Sequence, residues 1–224
     1  WQEGNWSQRR GWPTSVRLHE GRLWWAGKNG VFGSVSDAYD SFDETVVGDS
    51  GPINRTIGAG PVDTINWMLS LKRMVLGAQG AEITVKSSSL EEPITPTNFG
   101  LPTTSTQGSG AVNPVKVDQS GCFINRSGAK LLELSFDIQS YDYTTRDLMA
   151  IVPELGLPSI VRMDAHRQPD TRIHCIRSDG IACVLVYDRI EETQAWVTVE
   201  TDGLIEDVVC LPALAGNLDD QVYY

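Results

Sequence analysis

The sequence is short of positive charge. Its 224 residues contain 18 Lys and Arg against 29 Asp and Glu, which gives a formal net charge of −11. Proteins that grip nucleic acid neutralise its phosphates with clustered Lys and Arg, so this balance argues against a nucleic-acid-binding surface. The sequence also lacks any run of about 20 apolar residues, the length that a membrane-spanning helix needs. We therefore expect no membrane segment in this chain.

Motifs of catalysis and cofactor binding are missing as well. There is no G-x-S-x-G nucleophile elbow, no phosphate-binding loop and no glycine-rich dinucleotide fingerprint after a strand. The three histidines, His19, His166 and His174, are too scattered to indicate a triad. The sequence therefore predicts a protein that is not an enzyme, with no catalytic residues and no cofactor.

Two groups of side chains have the chemistry of metal ligands. The first group is His166, His174, Cys175 and Cys183. Adjacent residues of a strand point to opposite faces, so His174 and Cys175 do not suit one ion, and we predict no zinc site. The second group is Asp37, Asp40, Asp43 and Glu44. These carboxylates have the chemistry of a calcium site or a glycosidase pair, but we favour a charged loop at the edge of a sheet, and cation binding there stays open.

A long series of short strands separated by turns is what the sequence does contain. Segments 15–19, 22–26 and 31–35 are rich in aromatic and β-branched residues, and Glu20-Gly21 and a Gly-rich stretch at 27–30 separate them. Gly and Asn accept the positive φ that hairpin turns require. The same alternation continues to the end of the chain, which predicts an all-β fold.

The strand units recur with a nearly constant period. The second strand of each unit begins at Arg22, Arg73, Cys122 or Arg172, so successive starts are 51, 49 and 50 residues apart. A period of about 50 residues with three or four strands is typical of β-propeller blades. The segment 181–187, Ile-Ala-Cys-Val-Leu-Val-Tyr, is apolar throughout, as in a strand covered on both faces by neighbouring blades. A β-sandwich, the alternative, favours one solvated face and needs no such period.

We accordingly predict a β-propeller-type domain, or part of one, over 1–224. Blade-like units are expected at about 12–50, 60–90, 112–140 and 158–200, with a truncated unit at 203–224. The stretch 87–114, rich in Ser, Thr, Pro and Gly, is expected to be a long surface excursion. One short helix is expected over 144–155, with a Thr cap and an apolar stripe before Pro153. Because the chain starts without Met and stops inside a predicted strand, we expect a fragment of a longer protein.

The cysteines and tryptophans complete the expectations. The four cysteines, Cys122, Cys175, Cys183 and Cys210, are predicted to be reduced thiols, since most free cysteines are buried and a chain of this length needs no staples. A three-residue turn at 178–180 places Cys175 opposite Cys183, whereas a two-residue turn places Ile176 there. Core packing is the favoured role for five tryptophans, with a carbohydrate-binding platform as the alternative: Trp12, Trp24, Trp25, Trp67 and Trp196.

One phrase near the start of the chain resembles a group of known proteins. It runs from Gly11-Trp-Pro, through the strand-like 21–27, to Ser36, Tyr39 and Phe42. The phrase is similar to one in the propeller-bearing tail proteins of short-tailed bacteriophages, including tail tubular or nozzle proteins and packaged-DNA-stabilising proteins. Further similar segments lie at 95–98, 143–148, 169–187 and 195–196, whereas the acidic pair after Phe42 departs from the phrase.

The resemblance implies a structural component of the virion tail, assembled in the cytoplasm of the bacterial host. Its expected partners are further copies of itself in a ring, with a hexamer as the expected assembly, and other tail or portal-side virion proteins. DNA would pass through such a ring without specific binding, and an acidic channel surface suits that role. A carbohydrate-binding or carbohydrate-cleaving propeller and a protein-interaction scaffold propeller remain as alternatives.

Overall fold

The protein is an all-β, propeller-like array of four-stranded antiparallel blades. This computed structural model describes residues 4–58, 64–87, 92–191, 193–214 and 216–224. Parts of the predicted unit 60–90 and of the predicted excursion 87–114 lie outside those residues. No helix within these ranges is long and apolar enough to cross a bilayer.

Four blades follow one another along the chain, and each is a meander in which sequential strands pair. Blade 1 contains β1 (Ser15–His19), β2 (Arg22–Gly27), β3 (Gly30–Gly33) and β4 (Ile53–Thr56). Blade 2 contains β5 (Ile65–Ser70), β6 (Met74–Ala78), β7 (Glu82–Val85) and β8 (Thr103–Ser105). Blade 3 contains β9 (Val115–Val117), β10 (Ser120–Ile124), β11 (Leu131–Asp137) and β12 (Asp142–Asp147). Blade 4 contains β13 (Ile160–His166), β14 (Arg172–Arg177), β15 (Ala182–Asp188) and β16 (Thr193–Val199), and β17 (Val209–Leu211) pairs with β18 (Gln221–Tyr223) after it.

Local turn chemistry explains the first hairpin. His19 pairs with Arg22, so Glu20 and Gly21 form a two-residue turn. Both have positive φ, +47° and +67°, as a type I′ turn requires. The hairpin brings Arg22 of β2 back beside β1 and starts the second strand of the blade.

Two compact units divide the chain. Unit 1 covers 1–111 and 137–143, and one apolar core joins blades 1 and 2 inside it. Three hydrogen bonds between these blades join residues 51 positions apart: Thr14 to Ile65, Arg17 to Met68, and His19 to Ser70. The separation equals the predicted period, because equivalent positions of consecutive blades face each other.

Unit 2 covers 112–136 and 144–224 and has its own core. Strands of blades 3 and 4 supply this core, including Cys122, Cys175 and Cys183. Arg167 donates to the carbonyl oxygen of Lys116, again 51 residues away. β15 has its four residues from Ala182 to Leu185 buried, as expected for a strand covered on both faces.

The predicted helix over 144–155 is wrong. Residues up to Asp147 form β12, a turn follows, and a 3₁₀ helix occupies only Pro153–Gly156. Thr144 and Thr145 are β-branched and suit a strand, and the strand that contains them pairs with β11. Tertiary pairing therefore overrides the capping signal.

The predicted surface excursion over 87–114 also needs correction in its described part. The segment returns to blade 2 and supplies β8, whose Ser105 and Thr103 pair with Glu82 and Ile83 of β7. Ile94 is buried in the core of unit 1, and Ser109 is fully buried. A few apolar residues among many polar ones are therefore enough to hold the segment against its blade.

Glycines face tryptophans across two strand pairs of unit 1. Trp24 of β2 pairs with Gly33 of β3, and Trp67 of β5 pairs with Gly77 of β6. A Cβ on Gly77 would lie 2.1 Å from Cε2 of Trp67. The missing side chain therefore makes the space that the buried indole fills.

Candidate functional site

An aromatic cleft in blade 1 is the first candidate site. Its cavity has a volume of about 380 Å³. The residues that line it are Asn5, Trp6, Trp12, Pro13, Trp25, Phe32 and Phe42. Trp12 is 65% exposed, so much of this apolar surface is open to solvent. Exposed aromatic surfaces of this kind are typical of contact sites for ligands or partners.

Strand alternation builds the floor of the cleft. Trp24 points into the core, so Trp25 points to the other face of β2, where it pairs with Phe32 of β3. The Phe32 ring lies 4.6 Å from the Trp6 ring, centroid to centroid, at an interplanar angle of 59°. The segment that carries Trp12 runs tightly against β2, because a Cβ on Gly27 would lie 2.5 Å from the Trp12 carbonyl oxygen.

A polar pocket of about 270 Å³ adjoins the aromatic cleft. The two cavities share Asn5, Trp6 and Phe32. Amide, hydroxyl and guanidinium groups line the rest of the polar pocket, from Arg10, Asn29, Asn54 and Thr56. Aromatic faces and hydrogen-bonding side chains therefore occur side by side in blade 1.

Arg22 anchors the segment that delivers Phe42 to the cleft. Its guanidinium is buried and donates to four backbone carbonyl oxygens: Ser34 at 2.5 Å, Asp49 at 2.6 Å, Gly51 at 2.7 Å and, more weakly, Ser50 at 3.4 Å. These carbonyls lie at the two ends of the segment 34–51. The Arg22 guanidinium therefore holds the two ends of this segment together. In this way Arg22 positions Phe42, which lines the cleft.

The acidic residues predicted as a charged loop lie within that segment. Asp37 has a positive φ of +58°, and its amide donates to the Gly21 carbonyl oxygen at 2.8 Å. The Asp43 carboxylate accepts from the hydroxyl and the amide of Thr45, and these hydrogen bonds lower the pKa of Asp43. Among the described residues, Asp37, Asp40, Asp43 and Glu44 form no cluster of three or more ligand atoms within reach of one ion.

A second candidate site lies in unit 2, around two buried histidines. His166 ends β13, and His174 on β14 is its diagonal neighbour, since His174 pairs with Asp164 and His166 with Arg172. Diagonal neighbours on one face are within reach of long side chains. His166 Nδ1 and His174 Nε2 are 2.8 Å apart, and the Tyr224 hydroxyl lies 2.7 Å from His174 Nδ1. The sulfur of Cys210 joins this group: one ligand atom each from His166, His174 and Cys210 lie within 4.8 Å of one another.

Backbone hydrogen bonds place Cys210 beside the histidines. The Cys210 amide donates to Asp164 Oδ2 at 2.7 Å, which ties β17 to β13. Asp220, directly before β18, accepts from the amides of Arg167 and Gln168 at 2.8 and 3.0 Å. Both carboxylates therefore fix the β17–β18 hairpin against the end of β13.

Burial sets the protonation of this group. Burial, with the neighbouring His166 ring, lowers the pKa of His174 to about 4, and burial also lowers the pKa of His166. Burial, with the charges of Asp164 and Asp220, raises the pKa of Cys210 to about 12. At neutral pH the group therefore consists of two neutral imidazoles and a thiol.

The structure divides the four residues that the sequence suggested as metal ligands. Cys175 and Cys183 face each other across β14 and β15 and belong to the core, whereas the His pair meets Cys210. Gly180 has φ +80°, and the Arg177 amide donates to the Ile181 carbonyl oxygen at 2.9 Å, which is the register of the three-residue turn. The position of Cys210 beside the histidines was missed because nothing in the local sequence indicates that β17 lies beside β13.

The tryptophans divide between the core and the cleft. Trp24 and Trp67 are fully buried, as predicted, and Trp196 donates through Nε1 to the Leu148 carbonyl oxygen at 3.0 Å. Trp12 and Trp25 line the cleft instead. All five tryptophans lie in or beside predicted strands, so the sequence pattern did not distinguish a core tryptophan from one that lines the cleft.

Comparison with family models and with curated proteins does not identify a family for this chain. No protein-family model matches this chain, and no curated protein matches it.

Proposed function

We propose that this chain is a structural component of a bacteriophage tail, forming part of a nozzle or tubular ring around the genome-delivery channel. The observation that carries the proposal is the serial run of four-stranded blades, with hydrogen bonds between residues 51 positions apart in consecutive blades. Such blades match the fold that the sequence resemblance implies. The proposal assigns no catalytic role to the chain.

The phrase that carries the resemblance occupies one part of blade 1. Gly11 to Pro13 lead into β1, the stretch 21–27 forms a turn and β2, and Phe42 lies in the segment closed by Arg22. Trp12, Pro13 and Phe42 line the same cleft. An exposed aromatic cleft built by the phrase itself supports a contact surface for a neighbouring copy or another tail protein.

The net charge of −11 suits a wall that DNA passes. Like charges repel, so such a wall favours sliding over adhesion at physiological salt. Fluorescence anisotropy with a labelled DNA duplex is expected to show no binding. Tight, salt-sensitive binding would contradict this part of the proposal.

Two measurements test the main proposal. Native mass spectrometry of the purified chain, at increasing concentration, is expected to show a closed homo-oligomer with a hexamer as its largest species. Immunogold electron microscopy of virions produced from the source genome is expected to label the distal end of the tail. Particles that lack the label while the chain is present only in the soluble lysate would refute the assignment.

A carbohydrate-binding role is the second candidate, and the paired cavities of blade 1 favour it. Sugars stack their apolar faces on aromatic rings and satisfy their hydroxyls with amide and guanidinium groups, which these two pockets place side by side. A glycan array followed by Trp-fluorescence titration tests it. Trp12→Ala should abolish binding of any glycan that is found. Tyr39→Ala should not, because Tyr39 is an exposed aromatic residue that does not line the cleft. Equal binding by both variants would rule out the cleft as a glycan site.

A further inference from the structure

The group formed by His166, His174 and Cys210 has the chemistry of a transition-metal site. Two imidazole nitrogens and one sulfur are ligands that Zn²⁺ prefers, and a site with three protein ligands keeps one position for water. Three separate strands supply the ligands: β13, β14 and β17. The arrangement is therefore a product of the fold of unit 2 and not of a short sequence motif.

The distances suit one ion after small side-chain movements. Bond lengths of about 2.0–2.3 Å in a tetrahedron put ligand atoms about 3.3–3.6 Å apart. His166 Nδ1 and His174 Nε2 are now 2.8 Å apart, and one ring nitrogen of each histidine and the Cys210 sulfur lie within 4.8 Å of one another. Opening the His–His contact by about half an ångström and drawing in the thiol would complete the set.

The surroundings resemble the outer shell of a metal centre. A ligating histidine usually makes a hydrogen bond through its other ring nitrogen, which fixes the ring orientation and the tautomer. His174 does so through Nδ1 to the Tyr224 hydroxyl, at 2.7 Å. This contact turns Nε2 toward His166. The Cys210 backbone is held in place by the Asp164 carboxylate.

We propose that His166 Nδ1, His174 Nε2 and Cys210 Sγ bind one Zn²⁺ ion in unit 2. When the S–Zn bond forms, the thiol releases its proton to solvent, and no electron is transferred. The ion selects the tautomers in which His174 keeps its proton on Nδ1, donated to the Tyr224 hydroxyl, and His166 exchanges its Nδ1 proton through solvent for one on Nε2, so that both facing nitrogens offer lone pairs. Cys210 is only half-buried, which leaves a path for the ion to enter.

Metal titration of the full chain tests the proposal. Protein treated with EDTA and dialysed is titrated with Zn²⁺ against a chromophoric chelator, and separately with Co²⁺. We expect one equivalent of either ion, a near-ultraviolet charge-transfer band from the Co²⁺–thiolate bond, and a higher melting temperature with Zn²⁺.

Matched variants distinguish this site from adventitious binding. Cys210→Ser should remove the charge-transfer band and weaken Zn²⁺ binding at least tenfold, while Cys183→Ala, which removes a thiol from the opposite face of the sheet, should keep both. Tyr224→Phe removes only the hydroxyl of a half-exposed side chain, with little risk to folding, and should weaken binding about 10–100-fold. Absence of stoichiometric binding to the wild-type chain, or a band and affinity unchanged in Cys210→Ser, would overturn the proposal.

Discussion

Replacing Gly77 by alanine should destabilise blade 2 by overpacking. A Cβ at Gly77 would lie 2.1 Å, 2.3 Å and 2.5 Å from Cε2, Cζ2 and Cδ2 of Trp67. Non-bonded carbons prefer about 3.5–4.0 Å, so the indole would have to move by about 1.5 Å. Trp67 is 1% exposed, and its neighbours leave it little room to do so.

The magnitude follows from two opposing effects. Overpacking a core costs about 1–3 kcal/mol, and a clash with the middle of a rigid ring belongs at the upper end. Replacing Gly by Ala in a strand stabilises the protein by about 0.5–1 kcal/mol, because alanine lowers the conformational entropy of the unfolded chain. We therefore expect the free energy of unfolding to fall by about 2–2.5 kcal/mol, measured by urea denaturation followed by Trp fluorescence and circular dichroism.

Two comparisons isolate the clash. Gly100→Ala in the same unit is the matched control, because its Cβ would meet only the Lys86 carbonyl oxygen, at an ordinary 3.5 Å, so the entropy gain should stand alone and raise stability by about 0.5–1 kcal/mol. In a Trp67→Leu background the ring is absent, so Gly77→Ala should be nearly neutral. If Gly77→Ala has the same effect in both backgrounds, the clash is not the cause and our account of the Trp–Gly pair is wrong.

Three further predictions concern other groups. Thiol labelling of the denatured, unreduced protein should count four free cysteines, and a cross-linked peptide pair containing Cys175 and Cys183 would contradict the reduced state seen here. Arg22→Met should lower the free energy of unfolding by about 2–4 kcal/mol and speed limited proteolysis within 34–51, because the carbonyls that Arg22 binds lose their donor; an unchanged cleavage pattern would show that other contacts hold the segment. Burial raises the pKa of Glu82 despite the hydrogen bond from Ser109, so the folded state holds this proton more tightly than the unfolded chain, and stability from this group falls as pH rises above the ordinary Glu pKa. Glu82→Gln should therefore gain stability over wild type as the pH rises above the ordinary Glu pKa of about 4.3 in urea titrations, and a difference that does not change with pH would refute the assignment.

The blades could be predicted because their signals are local. Turn residues such as Glu20-Gly21 and Gly180 fix hairpins whose strands are close in sequence, and the period emerges from repeated hairpins. The structure confirms the all-β, blade-type fold. The helix prediction failed where local and tertiary preferences conflict. The signals at 144–155 resemble a capped helix, but the strand partner β11 has backbone groups that pair with β12.

The candidate sites depend on contacts that no local pattern reveals. Cys210 lies 36 residues beyond His174 and reaches it only because Asp164 and Asp220 hold the β17–β18 hairpin in place. Two consecutive tryptophans, Trp24 and Trp25, look alike in sequence, and only the core and the cleft on either side of β2 separate their roles.

Anchoring by Arg22 has a consequence for how blade 1 can change over evolution. The guanidinium recognises main-chain oxygens of Ser34, Asp49 and Gly51, and every amino acid offers the same oxygen. The side chains between these anchors are therefore not needed for the contact with Arg22. Exchange of Tyr39 or Phe42 would therefore change the exposed surface of the segment while its anchors to Arg22 stay in place.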